Sequence, residues 1–510
     1  MQKLTLLKGA VTAMFAFTAC ASTAIASDIT VGVSSDVATM EPNGSGSDSN
    51  LSVMANIFDG LLQRNSDGKL IPSLATDWER IDALTWRFTL RQGVKFHNGN
   101  DFTVDDVLFT FNRLTNPEIS NFVNFGAQIA SIEPLAGNPW VIDIKTHQPV
   151  AFFSQNLPQI FMMDKESTQD RSPGDVGQNP IGTGAYELAE WIKGSHVALA
   201  ANEDYWGGAP AMDKVTIRPV TEASTALASI MSGSVDILQD VPVSSIKVIE
   251  RNKKIDVLKT PARRSIFLGL SNAEGQPGSD VRVREAISIA INEEQIIDKV
   301  MFGAASLAAQ VPDPATIGYN PDIKRPVFNP SKAKALLKEA GYADGFEITL
   351  TGPNDRYIQD EQILAAVAAD LAKVGIRVNV AAKPKSIVFK ELQENKLEFY
   401  LLGWFDGSYD YGRSFDKLVT SVDSEKGTGG WNGAAYSNAK LDKMIRDSAK
   451  IIDVAKREKA LQALNLASQE SFALIPLHYQ MDVYAITKNA KFDFKPRPDT
   501  WLVFKEVTSK

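Results

Sequence analysis

Cysteine is all but missing from this chain. Its 510 residues hold one, Cys20, and that one falls in a leader-like N-terminal segment. The rest of the chain therefore has no disulfide, no zinc–thiolate site and no thiol nucleophile. Histidine is nearly as sparse: His97, His147, His196 and His478 stand singly, with no H-x-x-x-H or HExxH spacing, so no metal site is expected. Lys and Arg form no cluster and the formal net charge is −8, which excludes nucleic acid as a partner, because phosphate binding needs concentrated positive charge. Beyond the N-terminus no apolar run approaches the roughly 18 residues of a membrane span. There is no G-x-S-x-G elbow, no phosphate loop and no dinucleotide fingerprint. No catalytic residue and no cofactor is expected.

What is present begins with a targeting signal. Met1 to Ala26 carries Lys3 and Lys8, an apolar stretch from Gly9 to Phe17, and small residues ending Ala24-Ile25-Ala26. This is the pattern of a secretory signal cleaved near Ala26. Its removal takes the charge from −8 to −10 and leaves a free, exported, periplasmic chain. Cys20 offers a lipid anchor as the alternative, although Phe17-Thr18-Ala19 lacks the leucine such sites carry. At 44% hydrophobic and 22% charged residues the composition is that of a soluble globular protein, long enough for roughly three domain-sized units.

The pattern of elements is α/β. Ile29–Val33 reads as a strand, about 51–62 as a helix, and Trp86-Arg87-Phe88-Thr89-Leu90 as a half-buried strand by its period of two. Thr103 and Asp106 start a helix as cap and first-turn acid. Asp105-Asp106 needs no further role. Pro180-Ile181-Gly182-Thr183-Gly184 is a rigid loop suited to crossing between lobes where side chains would collide. The spacing predicts one long helix over 281–297. From Phe346 to Leu402 strand, helix, strand, helix and strand alternate, with Gly375 stopping the first helix. That alternation predicts a parallel, doubly wound sheet.

The third of those strands empties into an unusual loop. Leu397 to Phe415 reads LEFYLLGWFDGSYDYGRSF: an apolar run, a glycine, then Trp404, Asp406, Tyr409 and Asp410 in quick succession. Open α/β sheets bind ligands beyond the carboxyl ends of their strands.

Four blocks then resemble a known family. They are Trp86 to Gly99 leading into Thr103 to Val107; Pro180 to Tyr186 with Trp191 and Asn202 to Trp206; Asp280 to Ala286 with Ala290 to Asn292; and Tyr436-Ser437-Asn438 with Leu441-Asp442 and Ile475 to His478. In this order they are similar to the extracytoplasmic solute-binding proteins of ABC importers, in the dipeptide/oligopeptide/nickel group, family 5. The resemblance implies a two-lobed, type II-like periplasmic-binding-protein fold whose lobes close by a hinge on a trapped solute. Lobe I would span 27–265, with an extra subdomain at about 70–175. Lobe II would span 266–480, and a tail, 481–510, would return to lobe I. It also implies capture of small peptides by a monomer that delivers them to an inner-membrane ABC permease with its cytoplasmic ATPases.

Peptide-binding relatives place an ammonium-pairing aspartate after Gly-Trp, spaced two residues on and again before Asp-Pro. Here Gly403-Trp404 is kept, but Asp406 comes one residue early and Asp410 precedes Tyr411, so either carboxylate is a candidate anchor. Arg356, in Asn354-Asp355-Arg356-Tyr357, suits a ligand carboxylate held in a bidentate fork. Trp404, Tyr409 and Trp431 are candidate stacking walls. A glutathione-like peptide, a metal chelate or an oligosaccharide-type solute is the alternative ligand. A secreted hydrolase using Asp406 and Asp410 as acid and base is the alternative of another class.

Overall fold

The computed structural model describes residues 27–425 and 427–510. The targeting segment with Cys20 lies outside the described residues. The chain opens with β1 (Asp28–Val33), whose Ile29 and Val31 are buried, and α1 (Asp48–Ile57). This helix starts earlier and ends sooner than the sequence pattern suggests. Phe58 is extended, Gly60 bridges to Phe161, and Leu62 enters a short strand paired with Leu70–Pro72. Burial as extended chain wins over continued helix.

Two strands organise everything that follows. After the short β2 (Ile237–Leu238) comes β3 (Ile255–Leu270), sixteen residues long. The α/β alternation then supplies β4 (Phe346–Pro353), α2 (Asp360–Ala372), β5 (Ile376–Lys383), α3 (Lys385–Gln393) and β6 (Phe399–Trp404). Last comes β7 (Leu474–Thr487), fourteen residues long. One sheet runs through the molecule in the order β5-β4-β6-β3-β7-β2-β1, continuing to strands Lys214–Pro219, His196–Ala201 and Tyr186–Ile192. β4 is parallel to β5 and to β6, as the alternation predicts, but β3 is antiparallel to both β6 and β7.

β3 and β7 pair from Ile255 opposite Thr487 to Gly269 opposite Leu474, so both strands cross from one lobe to the other. Midway the register breaks. Pro261 faces Met481 and Ser265 faces Tyr479, leaving Ala262, Arg263 and Arg264 against the single residue Gln480. Proline cannot donate to a ladder, and extra residues on one strand bend it and re-aim its side chains.

Each lobe has its own core. One gathers β3 from Ile266 onward with β4, β6 and α2, through Leu268, Leu350, Leu364 and Leu402, all at most 1% exposed. Burying each such side chain contributes about 1.5–3 kcal/mol. The other gathers Val31, Met54, Tyr186, Val215, Tyr484 and Phe504. A four-stranded antiparallel sheet (Ala75–Arg80, Thr85–Leu90, Asn138–Thr146, Ile129–Leu135) closes a third core around Phe88, Phe111 and Phe153. The C-terminal residues dock on α1: Asn56 Nδ2 donates to Leu502 O (2.7 Å), and Phe504 N donates to Asn56 Oδ1 (2.8 Å).

Two further expectations are corrected. The helix over 281–297 is two helices, Val281–Ala290 and Glu293–Lys299. Ile291 is extended, and the Asn292 side chain accepts from Gln295 N (3.1 Å), capping the second helix afresh. The glycine loop does not cross between lobes. Gly182 and Gly184 press on the backbone of Asn56 and Ile57 at the end of α1, where any Cβ would collide.

Candidate functional site

The sheet bulge opens onto a cleft of about 950 Å³ between the lobes. From the first lobe it is lined by the end of β1, the start of α1 and residues 239–244 after β2. The second lobe contributes Arg356–Gln359, Phe389, Gly403–Phe405 and Trp431, and the hinge strands supply Arg264 from β3 and Gln480–Val483 from β7.

One wall is aromatic. Trp404 and Trp431 meet edge to face at 5.7 Å between centroids, and Trp431 meets Phe389 at 5.3 Å. The Trp404 indole N–H donates to Ser414 Oγ (2.8 Å), which fixes the ring. Gly403 is required just before it, because a Cβ there would lie 2.6 Å from the Tyr357 ring. That ring is held by its hydroxyl, which donates to Gly403 O (3.0 Å).

The charged groups of the cleft are five: Asp48, Asp240, Asp482, Arg264 and Arg356. Arg356 precedes α2, where Asp360 accepts from the backbone N–H of Arg356 and of Tyr357 (both 2.9 Å) and so fixes the turn. Its guanidinium sits 5.6 Å from the centroid of Tyr357, and that of Arg264 sits 5.9 Å from it. Neither guanidinium hydrogen-bonds to a protein acceptor among the described residues. Burial, then the like charge of Arg356, lowers the pKa of Arg264. Asp240 takes a left-handed backbone (φ 56) and accepts from Ser34 Oγ (2.6 Å). Burial raises the carboxyls of Asp48 and Asp240, and burial followed by the charge of Asp240 pushes Asp482 up to about 8. Asp482 Oδ2 and Gln480 Nε2 are sealed from solvent and have no hydrogen-bond partner among the described residues.

Trp404, Trp431 and Arg356 thus stand together on the cleft wall. Asp406, Tyr409 and Asp410 do not. Asp406 is 8% exposed and accepts from Ser408 N (2.8 Å), from Ser408 Oγ and from Ser414 Oγ. Asp410 is 2% exposed and forms a bidentate ion pair with Arg457 (2.5 and 2.8 Å). Both carboxylates hold the loop together, so neither is free to anchor a ligand or act as acid or base. Tyr409 lies between two guanidiniums, Arg263 at 3.3 Å and Arg64 at 3.6 Å from its centroid. Arg64 belongs to the first lobe, and its guanidinium donates to Gly68 O (3.0 Å) and Gln155 O (2.9 Å). Tyr409 is a contact between lobes, beside the cleft.

Sequence reasoning missed Asp48, Asp240, Arg264, Gln480 and Asp482. One signal was present: Pro261-Ala262-Arg263-Arg264 interrupts an otherwise strand-like run, and proline inside a strand marks an edge or a bulge.

Two lobes on one continuous sheet, two crossing strands and a polar cleft between them define a hinge-closing solute-binding protein. Residues 69–426 match the model of the bacterial extracellular solute-binding proteins, family 5, over its middle region. The chain belongs to that family and is the solute-binding component of an ABC importer. It is 28% identical over 497 residues to the glutathione-binding protein GsiB of Salmonella paratyphi A (strain ATCC 9150 / SARB42), with 95% of each chain covered. Among solved structures it is similar to HbpA2 from Haemophilus parasuis (TM-score 0.84, 23% identity, 95% of this chain and 100% of that one). It is also similar to the periplasmic binding protein DppA from Helicobacter pylori in complex with the peptide STSA (TM-score 0.74, 24% identity, 94% and 98% covered).

Proposed function

We propose that the solute is a short peptide with free termini, of dipeptide to tripeptide size, with glutathione inside that class. The observation that carries this reading is the bipolar cleft. Two guanidiniums without acceptors among the described residues and three carboxyl groups share one cavity, beside an aromatic wall that accepts varied side chains. Its volume of about 950 Å³ lies at the upper end of small-ligand sites. Arg264 and Arg356 hold the peptide carboxylate, and glutathione, with a second carboxylate, would engage both. The glutathione-binding relatives support that member of the class.

Capture proceeds by rotation of 266–480 against 27–265 with 481–510, about the bulge in β3 and β7. The closed monomer delivers its solute to a membrane permease. The chain works in the periplasm, freed by cleavage near Ala26. A bare metal ion suits the cleft less well: no three His, Cys, Asp or Glu side chains among the described residues gather closely enough to hold one.

A thermal-shift series tests the reading with Ala-Ala, trialanine, glutathione, nickel–histidine and maltotriose. Ligand at about a hundredfold excess over Kd stabilises the folded state by about 2.7 kcal/mol. A rise in melting temperature is expected with the peptides alone. Stabilisation by the nickel complex or the sugar, with none by any peptide, overturns it.

A further inference from the structure

A second, smaller cavity lies beside the cleft. Its volume is about 70 Å³, and it adjoins the main cavity at Gly46, Asp48 and Phe405, which line both. Leu51, Pro158 and Trp501 wall it on the first lobe, and Phe405, Gly407 and Tyr409 wall it on the second. A side chain placed there would touch both lobes and be enclosed like a core residue. The wall is mostly carbon, and its ions are already paired. Arg64 donates to Gly68 O (3.0 Å) and to Gln155 O and Oε1 (both 2.9 Å), and it stacks on Tyr409. Asp499 accepts from Arg497 (3.0 and 2.7 Å). Water in a cavity needs about two to four polar partners, and few are left here. At roughly 10–15 Å³ for each water-sized sphere, the chamber takes about five to seven heavy atoms. A side chain of leucine or methionine size fits; an indole is too large.

Gly407 leaves this space open. Its φ is not left-handed, so the backbone does not call for glycine. A Cβ there would meet only Gln159 Nε2 (3.3 Å) and, in ordinary contact, the Phe405 ring (3.8 Å). Packing does not call for glycine either, in contrast to Gly403, whose Cβ would strike the Tyr357 ring. What the missing side chain provides is room.

We propose that this chamber is a specificity-determining subsite for one aliphatic side chain of the solute, and that Gly407 keeps it open. This rests on the peptide reading above and adds to it a side-chain preference that the polar main cleft does not supply. Leucine in place of alanine adds an isopropyl group, and each carbon buried in an apolar site strengthens binding about fourfold. Asparagine has nearly the size of leucine, but its amide would lose water and find few partners among these walls.

Titration calorimetry on the whole chain tests it with Ala-Ala, Ala-Leu, Leu-Ala, Ala-Asn and Asn-Ala. One of the two leucine peptides should bind about ten- to fiftyfold more tightly than Ala-Ala. Asparagine at that same position should give no gain over alanine. In Gly407→Val the added methyl groups occupy the chamber, and the ratio of leucine to alanine affinity should fall to about one. Gly407→Ala, which needs only the end of the Gln159 side chain to give way, should bring that ratio to an intermediate value. The comparison among peptides needs no variant, so it stands even where Gly407→Val fails to fold. Equal affinity for Ala-Ala and both leucine peptides overturns the inference and leaves the peptide reading intact. So does an equal gain from asparagine, or a leucine advantage undiminished in Gly407→Val. No binding by any of the five peptides overturns both.

Discussion

At the scale of single residues, the same side-chain type does opposite work in two places. Asp410 is an ion with a full complement of partners; Asp482 is a carboxyl with too few. Removing the charge of Asp410 leaves Arg457 buried without its counter-charge, and Asp410→Asn should cost about 3–5 kcal/mol, read as a lower urea midpoint. Arg356→Ala should leave the urea midpoint of the empty protein unchanged, because this side chain is exposed, and weaken peptide binding by about 1.5–3 kcal/mol. For Asp482 the sign runs the other way from a salt-bridged acid. Its folded pKa is raised, so its contribution to stability is complete below the unfolded value near 4 and is lost as pH climbs through about 8. Denaturation of the empty protein across that window should show wild type losing stability relative to Asp482→Asn. The sequence could show that Asp406 and Asp410 follow a strand end. It could not show which way they point. Ser408 and Ser414 stand close enough in the chain to have hinted at local capture of Asp406, whereas Arg457 is 47 residues from Asp410 and only the packing of the helix Val454–Glu470 brings it there.

The elements were more legible than the residues. Period-two and helical spacing, with glycine stops, were enough for β4, α2, β5, α3 and β6, because each buries a face whose periodicity is written in its own residues. Two kinds of feature escaped. One is the competition between a continuing helix and a fresh cap, as at Asn292. The other is the length of β3 and β7, whose first or last halves pair across the lobe boundary and so carry no single buried face. The bulge between Pro261 and Ser265 comes from that double duty, and it turns Arg264 to the cleft and Arg263 to Tyr409. The stack Arg64–Tyr409–Arg263 is a direct tie between lobes beside the hinge. Each desolvated cation–π contact contributes up to about 2 kcal/mol. Tyr409→Ala should therefore loosen the empty protein: small-angle scattering should give a larger radius of gyration without ligand, with a smaller difference once peptide is bound.

Taken whole, the molecule is two lobes of unequal continuity. The second is built from one uninterrupted stretch of chain. The first needs both ends: Tyr484 and Phe504 are part of its core, Leu502 N donates to Ser52 Oγ (2.7 Å) and Lys505 pairs with Asp59 (3.0 Å). Contacts separated by some 450 residues close a loop that spans most of the described chain, and such contacts form late. The order of folding is therefore set by where the last thirty or so residues go. In pulse-labelled hydrogen exchange during refolding, amides of β4, β5 and β6 should gain protection before those of β1. A chain ending at Gln480 should keep the second lobe's protection pattern and lose the first's. In a family of extracellular solute-binding proteins, this delays one half of the ligand site until the C-terminal residues have been made, so a partly synthesised chain offers a solute no finished cleft to occupy.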